Sequence, residues 1–228
     1  MTSRWELLKA VVVKDTRTEL RSRVVTNQVL PFAGVVLMLF AFAIDSDATL
    51  SRVSSGLVWV TTLFAMLLIT QRSFEVESAD GALDAMRVAG VDMRAVFGGK
   101  SIALILQLVL LDAILFVLAL VLYRVEPPAS GVPLLIVTTV LGAATLGFIG
   151  VTYGGLAAAA KGKETLLPLL ILPVVAPVVI AATRATESAL GVGGRKVHEG
   201  WPWTGLLGFT AVAFAVVGAI AFPALVEE

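Results

Sequence analysis

The chain has 228 residues, 58% of them hydrophobic and only 15% charged, with 17 Lys and Arg balanced by 17 Asp and Glu. Soluble domains carry about 25% charged residues, and a water-soluble chain of this length has no way to hide so much apolar surface, whereas lipid removes the problem. The lack of cysteine excludes disulfides, thiol chemistry, Cys-ligated metal and covalent haem attachment, and the zero net charge gives no footprint for nucleic acid.

The composition points to an all-α, polytopic membrane protein in a single transmembrane domain spanning 1–228. Residues 3–25 place Trp5, Leu8, Val12, Leu20 and Val24 on one helical stripe, with Lys9, Arg17 and Arg21 elsewhere. That is the pattern of an amphipathic helix lying on the membrane surface; a plain extension of the first span fits the same residues. Six apolar runs follow, at about 29–44, 53–70, 100–122, 133–160, 165–184 and 204–226, against the roughly 20 residues a span needs. Ala41-Phe42-Ala43 mimics a signal-peptidase site, but the 28 residues before the first run are far longer than a signal peptide's basic region. The first run therefore reads as a span, with Pro31 suiting a helix start.

Six spans put the termini on one side, and the basic residues choose which. Arg52, Arg124, Arg184, Arg195 and Lys196 fall on one side and the remaining 12 Lys and Arg on the other. The positive-inside rule then predicts both termini in the cytoplasm. Residues 71–99 form the longest cytoplasmic loop, roughly 29 residues carrying Glu75, Glu77, Asp84 and Arg87 with Leu83 and Met86 at helical spacing. A loop of that length with its own helical pattern is often functional.

Gly98-Gly99-Lys100-Ser101 resembles the end of a phosphate-binding loop, but Arg94 stands where that motif needs its first glycine. In the third run, Asp112 sits near mid-membrane with Gln107 above it. An acid at that depth is costly and marks a polar path or an interface; hydrogen-bonded glue between helices is the competing reading. Gly150 and Gly154 make a Gly-x-x-x-Gly spacing suited to close packing, within one chain or between two. Pro168, Pro173 and Pro177 should kink the fifth span or break it into pieces. Arg184 ends that span as a residue that snorkels to the interface. His198, the one histidine, lies beside Trp201 and Trp203. Imidazole and indole suit a flat ligand such as haem, but tryptophans at a span's start are routine interface anchors. No Ser-His-Asp set, carboxylate dyad or metal cluster is visible, so the chain reads as non-catalytic, with no cofactor of its own.

The run from Leu146-Gly147-Phe148-Ile149-Gly150 through Lys161-Gly162-Lys163 to Leu166-Leu167-Pro168-Leu169-Leu170-Ile171-Leu172-Pro173 resembles the signature region of the CcmB family. Members are the membrane subunit of a haem-exporter-type ABC complex in cytochrome c maturation. The opening Lys14-Asp15-x-Arg17-x-Glu19-Leu20-Arg21 and the loop Phe74-Glu75-x-Glu77 with Gly81-x-Leu83 resemble the same family, so the likeness covers essentially the whole chain. It departs where the family has a proline after the loop helix and this chain reads Val88-Ala89-Gly90-Val91. The resemblance implies an ABC-exporter permease with a second copy of itself as partner. An ATP-binding subunit holding ATP and Mg would dock on loop 72–95, touching Glu75, Glu77, Asp84 and Arg87. A haem-handling membrane protein and a periplasmic haem chaperone would complete the complex, with haem as the handled ligand. A permease of similar architecture exporting another lipid, drug or glycan is the alternative.

Overall fold

The computed structural model of the chain describes residues 4–23, 25–79, 81, 85–86, 88–159 and 166–227. Over these residues it is all-α, with seven long helices and no strand. Helix α1 is Arg4–Ser22; a π-helical turn at Val25–Val29 leads into α2, Leu30–Ala43. Then come α3 (Asp47–Ala79), α4 (Met93–Leu122), α5 (Val132–Ala159), α6 (Leu166–Leu190) and α7 (Trp201–Glu227). Six stretches are long and apolar enough to cross a membrane: Val25–Ala43, Asp47–Glu75, Met93–Leu122, Ala129–Ala158, Ile171–Leu190 and Val197–Leu225.

The helices outrun the apolar runs that predict them. Hydropathy falls at Gln71-Arg72, yet α3 continues to Ala79, because Gln, Arg and Glu are good helix formers and helical hydrogen bonds do not depend on apolarity. At about 1.5 Å per residue, 33 residues reach about 50 Å, well beyond a hydrocarbon core of about 30 Å. Most of the expected loop 71–99 is thus the tail of α3 and the first turns of α4. Likewise α6 runs past Arg184 to Leu190. It stays one helix through Pro173 and Pro177 rather than breaking. The two prolines stand four apart on an exposed face, so the carbonyls they leave unbonded lie on one side and the opposite face keeps its ladder.

Helix α5 is the centre of the bundle, in contact with α3, α4, α6 and α7. Gly150 and Gly154 make this possible. A Cβ at Gly150 would lie 2.9 Å from Thr70 Oγ1, and one at Gly154 would lie 2.5 Å from Phe74. The Gly-x-x-x-Gly spacing therefore seats α3 on α5 within one chain. Large apolar side chains on the bundle's outside remain exposed, including Phe42, Leu110, Val121 and Phe209, as a lipid-facing surface requires.

Candidate functional site

Helix α1 does not lie free. Leu8 and Val11 face the start of α4, where a Cβ on Gly99 would sit 2.6 Å from Val11. Gly98-Gly99 is therefore the seat of a helix, not a phosphate loop. The expected single stripe splits accordingly: Leu8 turns inward, Trp5 and Leu20 are exposed, and Val24 lies outside the described residues. At its start, α1 is pinned by Arg4, 2.6 Å from Asp92, the N-cap of α4. Slight burial works against charge on Asp92, but the Arg4 guanidinium and the Arg94 N–H it caps hold its carboxyl below the ordinary value of 3.8.

One turn beyond Gly99's contact, α1 meets α3 and α4 in a four-charge cluster. Lys100 is 3% exposed. Its ammonium lies 2.8 Å from Glu77 and 3.4 Å from Asp15, with Ser73 Oγ at 3.3 Å and the Phe74 ring 4.9 Å beneath it. Lys14 closes the ring, 2.5 Å from Glu77 and 3.2 Å from Asp15. Two cations and two anions cancel, which is what permits Lys100 and Glu77 to be buried. Burial alone would lower the Lys14 pKa, but its hydrogen bond to Glu77 and the charges of Asp15 and Glu77 raise it above 10.5. The cluster joins three elements distant in sequence into one rigid end of the bundle.

This separates two residues expected to act together. Glu75 is exposed, 3.7 Å from Arg72 one turn away, and free to meet a partner. Glu77 is 5% exposed and committed to Lys14 and Lys100, so it cannot be a surface contact. Residues two apart on a helix point about 200° apart, and one of the two had to turn inward. Met86 is half-buried against the core. Leu83, Asp84 and Arg87 lie outside the described residues, as do Lys161 and Lys163.

In mid-bundle, Asp112 is fully buried and takes a hydrogen bond from Thr62 of α3 at 2.5 Å. Gln107 is half-buried, its Oε1 without a protein partner. Pro168 falls in the first turn of α6, away from this pair in the chain.

The opposite end of the bundle carries its charges on neighbouring stretches of chain. Arg184 pairs with Glu187 at 3.0 Å, and Arg195 joins the same carboxylate at 2.9 Å, so Arg184 has a partner rather than simply snorkelling. His198 is exposed in a 3-10 turn, Trp201 is 47% exposed and Trp203 is half-buried at the start of α7. Among the described residues no group of His, Asp and Glu is placed to hold a metal ion. Sequence reasoning missed Lys100 and Thr62 as site residues. A lysine at the mouth of an apolar run was a usable signal for the first; Thr62 had none, being one of several threonines in its span.

The fold and the site together define a class: a multi-pass helical membrane protein whose surface helix is locked by buried charge onto one end of a six-span bundle. Within that class, residues 6–228 match the family described as CcmB protein, and the chain belongs to that family. It is 28% identical to heme exporter protein B of Paracoccus denitrificans, covering 95% of this chain and 96% of that protein. It is 30% identical to heme exporter protein B of Rhodobacter capsulatus, covering 92% and 94%. The namesake in Pseudomonas aeruginosa is 32% identical, covering 71% and 72%.

Proposed function

We propose that this chain is the membrane permease subunit of an ABC complex serving haem export and delivery for c-type cytochrome biogenesis. The observation that carries this reading is the family match over residues 6–228, together with full-length relatives called heme exporter protein B. The chain does no hydrolysis itself; a separate subunit binds ATP and Mg. Two copies of the permease pair in the inner membrane with both termini in the cytoplasm, in line with the distribution of Lys and Arg.

The cluster end then faces the cytoplasm and receives the ATP-binding subunit. A nucleotide can move membrane helices only if a rigid piece of the permease makes different contacts in the two states of the ATPase. The tail of α3, locked to α1 and α4 through Glu77, Lys100, Lys14 and Asp15, has that rigidity. Glu75 and Met86, with Leu83, Asp84 and Arg87 of the same loop, form the contact, and movement there passes along α3 as a continuous helix. The output is haem transfer, or release of a haem-loaded chaperone, on the far side. A haem-handling membrane protein shares the complex.

Deleting the gene in its host and staining membranes for covalently bound haem tests this. Loss of stained c-type cytochromes, restored by a plasmid copy, is the expected result. Normal staining in a host without a second copy would turn the reading to a permease for another lipid, drug or glycan.

A further inference from the structure

Six buried side-chain oxygens among the described residues have no hydrogen-bond partner in the protein: Ser55 Oγ, Thr70 Oγ1, Glu77 Oε2, Ser101 Oγ, Gln107 Oε1 and Asp112 Oδ2. All six belong to α3 or α4, and these two helices pack on each other. Only Glu77 Oε2 has compensation, the Lys100 ammonium as an ion pair. Elsewhere buried hydroxyls donate back into their own helix, as Thr145 does to Leu141, Thr152 to Phe148 and Ser188 to Arg184. Ser55, Thr70 and Ser101 do not. Thr62 Oγ1 has one proton and two oxygens in reach, Val58 O at 3.0 Å and Asp112 Oδ1 at 2.5 Å. The Thr62–Asp112 pair is thus short of donors.

Five of the six fall on one line; Gln107, five residues before Asp112, points about 140° away from it round α4 and stands off that line. Three contacts fix the antiparallel register of α3 and α4: Ser55 and Ala119 line one cavity, Thr62 meets Asp112, and Glu77 meets Lys100. Between them, a Cβ at Gly150 would lie 2.9 Å from Thr70 Oγ1 and 3.1 Å from Leu104, placing Thr70 at the same α3–α4 junction. Ser55, Thr62, Thr70 and Glu77 recur at spacings of seven or eight, one face of a helix. From Ser55 to Glu77 the line is about 33 Å long at about 1.5 Å per residue, matching a hydrocarbon core of about 30 Å. At its outer end Ser55 borders a small cavity of about 10 Å³ whose exposed walls are apolar, beside Phe116 and Leu190.

Polar groups at this depth are costly unless protein or water satisfies them. We propose that the α3–α4 seam is a hydrated track: water enters from the Ser55 end and files past the orphaned oxygens of Ser55, Asp112, Thr70 and Ser101, with Thr62 beside them, to the ion-pair cluster. The ligand is water, and Asp112 is its midpoint acceptor. Met66, buried among the polar positions with its sulfur beside Gly150, is unbranched and able to swing aside for the file to become continuous.

The chain has no cysteine, so single-cysteine variants are read without background. S55C, T70C and S101C, all close in size to the native residue, are compared in membranes of the full chain with T145C, buried in α5, and L110C, on the lipid face. A water-soluble methanethiosulfonate is the probe. It reacts with thiolate, which forms only where water reaches, so seam positions should label at least about tenfold faster than both controls. T62C replaces any seam variant that fails to accumulate. Labelling of T70C and S101C at the T145C rate overturns the track, and so does labelling confined to S55C. The readout needs no haem, so it stands or falls apart from the transport reading.

Discussion

The two ends of the bundle both carry ion pairs, yet they are built differently. At one end, Lys14, Asp15, Glu77 and Lys100 come from three separate elements and cancel in charge, with Glu77 and Lys100 buried, Lys14 half-exposed and Lys100 over the Phe74 ring. At the other, Arg184, Glu187, Arg195, His198 and Trp201 come from one stretch of chain and stay near the surface. The first set was scattered in the sequence and converges in space. The second was contiguous in the sequence, and its two arginines meet only the Glu187 carboxylate of the same stretch. Charges shared between elements, like those of the first end, tie those elements together, as the transmission of motion in the proposed function would require.

Removing Lys100 breaks this contrast most severely. Lys100→Met leaves Glu77 and Asp15 with an uncompensated buried charge, a loss of about 3–5 kcal/mol, read as a lower unfolding midpoint in detergent. His198→Ala at the other end should leave that midpoint unchanged. Between the ends, Asp112→Leu should impair function more than Asp112→Asn, because only the amide keeps a partner for Thr62; equal loss in a complementation assay would show that the charge itself matters. The smallest effect concerns pH. The folded pKa of Lys14 is raised, so its contribution is fully present below the unfolded value of 10.5 and is lost as pH rises through the folded value. Alkaline unfolding of Lys14→Met should therefore be shallower with pH than that of the native chain.

Much of the fold was legible because spans announce themselves. All six apolar runs became helices, and lipid demands that backbone groups be satisfied within each one. The helix ends were not legible, since the polar tail of α3 carries no apolar signal and extends the helix anyway. Within the site, Glu75 and Glu77 looked equivalent in a loop and became opposite faces once α3 ran through them. Lys100 drew notice only as part of a failed phosphate motif, because one of its partners, Asp15, lies 85 residues away and no local spacing encodes that meeting. Asp112 stood out by depth alone, while its partner Thr62 required the register of α3 against α4.

The central claim is that this chain works through its cluster end, with Glu75 as the exposed contact and the far-end His198 as a bystander. Deletion strains carrying either Glu75→Lys or His198→Ala, with chain levels matched by immunoblot, test it directly through staining of covalent haem. The account predicts that Glu75→Lys accumulates normally in the membrane but loses stained c-type cytochromes, while His198→Ala stains fully. Full staining with Glu75→Lys, or loss with His198→Ala, would contradict it.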